Sequence, residues 1–357
     1  MKVLITGNMG YVGSILTQYL KKTYPNINLI GYDAGYFGHS ITSTEFIPEH
    51  GVSIQYFGDV RDIQQSILSG VDAVVHLAGV SNDPIGKEFE SVTEDINRYA
   101  SARLAKIAIK EGVKNFVFAS SCSMYGQTEG RARKETDPTN PLTAYARSKI
   151  GTEKDLENMN LGDMIFTSLR FATACGWSSR LRLDLVLNDF VACAITSGKI
   201  TVLSDGTPWR PLIDVEDMSR AIDWAINRKK DNGDQYLVVN TGNNSSNYQV
   251  KQIANSVAKL IPETKILINK NALPDNRSYS VDFTKYQKLA KEFQPIISLD
   301  QSIVRLKENL LKMNFSNLNF RESTLMRLNT LKKHMQEGRI DKNLRWTIYS
   351  VATKKSI

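Results

Sequence analysis

The sequence predicts an α/β protein built on a doubly wound parallel sheet, and three observations predict it. Short β-rich apolar runs alternate with longer segments of helical periodicity through the first half; the first run ends in the glycine-rich stretch TGNMGYVGS, residues 6–14; and no internal repeat or low-complexity tract breaks the alternation. The runs are 2–5, 28–32, 53–57, 73–77, 115–119 and 164–169, and helical patterns such as 14–20 and 93–111 fill the gaps between them. Strands alternating with helices form βαβ units, and such units build a parallel sheet.

Beyond Arg170 the pattern is less regular. Residues 177–184 read as a loop, 185–196 as a helix and 201–203 as a short strand; the turn GTPWRP follows, then a helix over 215–227, a strand over 236–240 and a helix over 248–261. This describes a smaller α/β lobe woven from the second half. Residues 319–338 read as a helix with Leu325, Leu328, Leu331 and Met335 along one side, a stripe that packs on the body or on a second subunit. The expected organisation is a first domain over 1–170, a lobe over 171–300 interwoven with it, and a basic helical extension over 301–357.

At 357 residues, 41% hydrophobic and 9% aromatic, the chain has material for a substantial core. No apolar run approaches the ~20 residues of a membrane span, and the first apolar segment is too short for a signal peptide, so a cytoplasmic protein is expected. Cys122, Cys175 and Cys193 are odd in number and widely spaced, which fits reduced thiols, and four scattered histidines give no metal cluster. The net charge of +8 is local: from Asp300 onward 12 Lys/Arg face 5 Asp/Glu, which leaves about +1 for the preceding 299 residues. A solvated helical face explains that tail without nucleic acid; an acidic partner or an anionic surface is the alternative.

A strand, a tight turn with Gly7, Gly10 and Gly13, then a helical pattern is the setting in which a diphosphate rests on helix N-terminal amides. The spacing is GxxGxxG, and the absence of GxxxxGK[ST] rules out a P-loop. Asp33, about 20 residues beyond the last glycine and just after the second run, is placed to accept hydrogen bonds from a ribose diol and to repel a 2′-phosphate, which favours NAD over NADP. Asp59 of GDVRD can meet an adenine amine or serve as a plain turn carboxylate. HLAG, from His76 to Gly79, falls at the carboxyl edge of the fourth run. Tyr145 and Lys149 of YARSK lie one helical turn apart on one face, and a nearby ammonium lowers the pKa of a phenol. Ser121, at the end of the fifth run, can hold the substrate oxygen that such a tyrosine deprotonates.

Together GNMGYVG, Asp33, GDVRD, HLAG, SSCSMYG, YARSK and GTPWRPLIDVEDM resemble the extended short-chain dehydrogenase/reductase family, in particular its NAD-dependent nucleotide-sugar epimerase/dehydratase group, over about residues 1–300. The resemblance implies a Rossmann-type NAD-binding domain, a nucleotide-sugar lobe, and a hydride taken from a sugar carbon, usually C4, while Tyr145 removes the hydroxyl proton. It implies that Lys149 binds the nicotinamide ribose and tunes Tyr145, and that Ser121 binds the sugar oxygen. The cofactor-binding set it implies is Gly7, Met9, Gly10, Tyr11, Val12, Gly13, Asp33, Asp59, Val60, Leu77, Ala78, Gly79 and Asn97, with Tyr145 and Lys149. For the substrate it implies Ser121, Ser123, Thr173, Asn188, Arg210 and Arg277, the two arginines approaching the nucleotide diphosphate. A homodimer through helices 93–111 and 142–158, and a place in polysaccharide or glycoconjugate precursor synthesis, follow from the same likeness; a metal does not.

The departures narrow the chemistry. Sugar 4,6-dehydratases carry an Asp-Glu pair where Cys122 and Ser123 stand, so that reaction is disfavoured. Cys122 is one residue from the cysteine of 3- and 5-epimerising relatives and reads as a buried inert thiol. Thr173 replaces a usual Asn, and Asp214 replaces a usual His. A 4-epimerase or related C4 oxidoreductase is the expected activity. A net dehydrogenase or 4-keto reductase is the enzyme alternative, and a non-catalytic NAD-binding regulator the alternative of another class.

Overall fold

The computed structural model describes residues 1–42, 47–81, 83–128, 130–269 and 278–347. In chain order the strands are β1 Lys2–Thr6, β2 Asn28–Asp33, β3 Ile54–Phe57, β4 Ala73–His76, β5 Asn115–Ser121, β6 Ile165–Phe171, β7 Thr173–Cys175, β8 Lys199–Val202, β9 Trp209–Asp214, β10 Tyr236–Thr241, β11 Asn247–Gln249 and β12 Lys265–Ile268. The helices are α1 Tyr11–Thr23, α2 Asp83–Glu88, α3 Glu90–Glu94, α4 Ala100–Lys110, α5 Ala144–Glu157, α6 Val186–Thr196, α7 Val215–Ile226, α8 Val250–Leu260, α9 Thr284–Leu289, α10 Leu299–Lys312 and α11 Arg327–Gln336.

Seven parallel strands form one sheet in the order β10-β6-β5-β4-β1-β2-β3. Val3, Leu4, Ile5, Val74, Val75, Phe116 and Val117 are at most 1% exposed, as expected of central strands covered on both faces, and burying each such side chain contributes about 1.5–3 kcal/mol. All six expected runs are strands of this sheet. The seventh, β10, comes from the segment that reads as part of the second half; Tyr236 to Thr241 pair in parallel with Phe166 to Phe171 instead. Helix α7 likewise packs on the sheet side, its Ala221, Ile222 and Ala225 sharing one apolar core with Leu16 and Leu20 of α1. The remaining lobe has its own core around Leu187, Val191, Ile253 and Leu306. Strand order reverses between β1 and β4, so a crevice opens beyond their carboxyl ends.

Two helical expectations change. The run 93–111 is α3 and α4 joined by one π-helical turn, Asp95–Tyr99. The expected helix over 319–338 shortens to Arg327–Gln336, because a 3-10 turn at Phe320–Glu322 and an extended Ser323 break the segment before it. The apolar stripe is consequently split: Leu328, Leu331 and Met335 pack on the sheet's core, whereas Leu325 packs on that of the lobe. The basic tail is also more engaged than a solvated face. Arg321 pairs with Asp189 at 2.8 Å, Lys332 with Glu88 at 3.4 Å, and Arg345 with Asp62.

Helix α5 is tied to the sheet by one carboxylate. Glu153, 3% exposed, accepts hydrogen bonds from Ser120 on β5 and Ser168 on β6 at 2.7 Å each and pairs with Arg170 at 2.7 Å. Removing one member of a buried pair leaves the other charge without compensation. Glu153→Gln is expected to lower unfolding free energy by about 3–5 kcal/mol, read as a reduced urea midpoint at unchanged slope.

Candidate active site

The crevice is a cleft of about 940 Å³, near the top of the usual ligand-site range of roughly 300–1,000 Å³. Its floor is the glycine turn. Gly7 has φ +77°, and a Cβ there would sit 2.7 Å from the Ala78 amide nitrogen; a Cβ on Gly13 would sit 2.4 Å from the Gly7 carbonyl oxygen. These two glycines therefore let α1 close on β1 and on the turn after β4. Helix α1 starts at Gly10 without a side-chain cap and without an acidic residue in its first turn, leaving its first amides to an anion. That bare backbone cradle fits the diphosphate of NAD.

Asp33 ends β2 in the wall of the cleft, its carboxylate held by the amides of Met9 at 3.0 Å and Gly35 at 2.7 Å. Burial raises its pKa despite those two donors, and a ribose diol would donate to the lone pairs that remain. Asp59 also reaches the wall, but Arg61 takes its carboxylate in a fork, with Nη2 at 2.5 Å, which is the arrangement of a turn carboxylate. Gly10, Tyr11, Val12, Val60, Leu77, Ala78 and Gly79 line the cleft. Met9 does not line the cleft and reaches it through its amide on Asp33.

At the far end Ser121, Ser123, Tyr145 and Lys149 face the same space. Ser121 terminates β5; its hydroxyl donates to Ser123 Oγ at 2.9 Å and accepts the Ser123 amide at 3.1 Å. Thr143 caps α5, which fixes where the helix starts and so where Tyr145 and Lys149 fall. Lys149 Nζ lies 5.7 Å from the Tyr145 ring centroid and 4.6 Å from that of Phe118. Burial pushes its pKa down to about 8, against the opposing pull of Glu153 one turn along. Asn97 sits in the π-helical turn, fully buried, and grips both the amide and the carbonyl of Val80 at 2.7 and 2.9 Å, and Ser148 at 3.1 Å. Its side chain thus ties the loop after β4 to α5. Gly79 permits this, since a Cβ there would meet Asn97 Oδ1 at 2.9 Å.

Thr173 and Arg210 line the cleft on the lobe side, Arg210 5.8 Å from the Tyr279 ring centroid. Arg277 lies outside the described residues. Asn188 stands apart: it is fully buried, its Oδ1 accepts the Gly176 amide at 3.0 Å and its Nδ2 donates to the Arg182 carbonyl at 3.0 Å, so it shapes the loop 176–182 rather than the cleft wall. Cys122 also faces away, its thiol donating to the Arg170 carbonyl at 3.0 Å, and burial pushes its pKa up. Asp214, at the position of the usual His, caps α7 and accepts Ser302 at 2.5 Å. His76 of HLAG is a buried neutral link between Thr6 and Ser101, its pKa pushed down to about 3 by burial and by Lys149. Among the described residues no His/Cys/Asp/Glu group could hold a metal, and no helix is long and apolar enough to cross a membrane.

Sequence reasoning missed several wall residues. Arg182, paired with Asp184 at 2.7 Å and donating to Ser81 at 3.1 Å, comes from a loop without a local motif. Phe37, Arg327, Leu331 and Leu344 enter from the stretch after β2 and from the C-terminal segment, which only the tertiary fold brings together.

The family model described as the NAD dependent epimerase/dehydratase family matches residues 3–242. A UDP-glucose 4-epimerase of Lactobacillus helveticus is 28% identical over 293 residues, covering 74% of this chain and 84% of that protein. An N-acetyl-alpha-D-glucosaminyl-diphospho-ditrans,octacis-undecaprenol 4-epimerase of Escherichia coli O157:H7 is 26% identical, covering 73% of each. Among solved structures, a UDP-glucose 4-epimerase of Thermotoga maritima with UDP-glucose superposes with a TM-score of 0.74 at 22% identity, over 88% of this chain and 100% of that one.

Two outcomes are expected if α5 carries the proton-transfer pair Tyr145 and Lys149. Tyr145→Phe should lower kcat by about 10²–10⁴ with NADH affinity retained, as loss of a proton-transfer group does. A lysine whose pKa is lowered gives up its charge at a lower pH than usual, so kcat should fall as pH rises past about 8, and a pH–rate profile checks this.

Proposed function

Because the chain belongs to the NAD dependent epimerase/dehydratase family, we propose that it is a nucleotide-sugar 4-epimerase acting through a 4-keto sugar. The observation that carries this reading is the convergence of Ser121, Tyr145 and Lys149 on one cleft, with a buried thiol at 122 and a hydroxyl at 123 where a dehydration would need carboxylates. The named activities of the relatives from Lactobacillus helveticus and Escherichia coli support it.

In this reading Ser121 holds the C4 oxygen and Tyr145 takes its proton, the buried Lys149 stabilising the phenolate. NAD, when bound, supplies the hydride acceptor and donor. The keto sugar then turns within the cleft, and Tyr145 returns the proton on completion. Hydride and proton are both restored, so no further acid, base or metal is required. Arg210, over Tyr279 at the lobe side, is proposed to hold the nucleotide diphosphate, and Asp33 with the glycine turn the cofactor.

The test is a panel of UDP- and dTDP-sugars with products identified by NMR. Interconversion of C4 epimers without net change in NADH absorbance is expected. A stoichiometric change in that absorbance would assign a dehydrogenase or a reductase instead. A homodimer is proposed through the surface of segments 93–111 and 142–158, where Tyr99, at the end of the π-helical turn, is 58% exposed; light scattering should give twice the 40.1 kDa chain mass, and a single chain mass contradicts it.

A further inference from the structure

The segment 320–347, outside the stretch that the family model matches, folds back over one end of the cleft. It is docked on the loops that follow β2 and β3. Trp346 Nε1 donates to the Ala34 carbonyl at 2.6 Å, and its ring stacks on Tyr36 at 5.7 Å. The Tyr36 hydroxyl donates to the Leu344 carbonyl, and His334 Nε2 lies 2.9 Å from the Tyr36 carbonyl. Arg61, whose guanidinium holds Asp59, also donates to the Asn343 carbonyl at 2.9 Å. Both loops thus gripped lead directly from Asp33 and toward Asp59, the adenosine end of the cofactor cradle.

At the centre of this contact is Arg327, 2% exposed, with its guanidinium 4.2 Å over the Phe37 ring. Nη2 donates to the Arg180 carbonyl at 2.8 Å, whereas Nη1 is buried with no hydrogen-bond partner among the described residues. Arg182 has Asp184 and Arg180 has Glu49 as counter-charges, but no carboxylate among the described residues lies within ion-pair distance of Arg327. Burial, with Arg182 and Arg180 adding to it, depresses its pKa to about 9. A buried guanidinium with a bare N–H in the wall of a ligand cleft calls for an anionic acceptor there. Both ligands of the proposed reaction carry a diphosphate; the position over Phe37, on the loop leaving Asp33, favours that of the dinucleotide.

We propose that residues 320–347 form a cofactor strap: docked, the segment closes the adenosine end of the cleft, Arg327 gives its bare Nη1 to the diphosphate of NAD, and bound cofactor exchanges only when the strap lifts. The proposal rests on the NAD site and not on the sugar, so binding measurements test it separately from turnover. The full-length chain, freed of nucleotide, is titrated with NADH and with UDP by fluorescence, and exchange of bound NAD for isotopically labelled NAD is timed by mass spectrometry. Arg327→Met should weaken NADH about 10- to 100-fold, the scale of one charged hydrogen bond, while UDP affinity changes by less than about two-fold; Arg327→Lys should recover part of the loss. Trp346→Ala, which leaves the guanidinium in place, should speed exchange about 10-fold. Unchanged NADH affinity in folded Arg327→Met overturns the contact, and an equal weakening of UDP moves the arginine to the sugar nucleotide. If neither arginine variant folds, unchanged exchange in Trp346→Ala overturns the strap.

Discussion

The buried carboxylate of Glu153 is the constraint on which the Tyr145–Lys149 end of the cleft depends. It takes hydrogen bonds from β5 and β6 together with the charge of Arg170, and it sits one turn beyond Lys149. Helix α5 is therefore held by its polar underside rather than by apolar packing alone; its apolar contact is small, with Leu156 and Ala146 among the few buried hydrophobic residues. Because α5 is fixed in azimuth and depth, Tyr145 and Lys149 face the cleft beside Ser121, which terminates the strand that the same carboxylate grips. A site made of three side chains from two elements needs such a shared anchor.

At the other end the constraint is steric. The Gly13 Cα and the Gly7 carbonyl approach too closely for any side chain, so α1 starts tight against the sheet and turns uncapped amides toward the crevice. Asn97 connects the two ends. By binding both polar groups of Val80 and reaching Ser148 from the π-helical turn, it fixes the loop after β4 to α5.

Much of this was legible in the sequence, and the reasons are local. Five of the six strands show as apolar runs because both faces of the sheet are covered there, whereas the edge strand β3 keeps an apolar run although Ile54, Tyr56 and Phe57 are exposed. Tyr145 and Lys149 show because four residues make one helical turn, and Gly7, Gly10 and Gly13 because backbone approach excludes side chains. What was not legible depends on contacts between distant parts of the chain. Asn188 carries the right chemistry for a ligand, but its amide is consumed by the loop 176–182. The parallel partner of Tyr236–Thr241 is 70 residues away in the sheet's core, and no local pattern names it. Arg327 is one cation of a basic tail in the sequence; only Phe37 and the Arg180 carbonyl reveal that it is internal.

The central claim is that hydrogen leaves and returns to the same sugar carbon inside one closed site, with Tyr145 handling only the proton. The most direct measurement follows a nucleotide sugar deuterated at C4 through turnover in ordinary water, with mass spectrometry and NMR of the epimerised product. Retention of deuterium at C4, together with a primary isotope effect on a single turnover, is the predicted result. Loss of the label to solvent would contradict the account, because it would require C4–H to be removed as a proton.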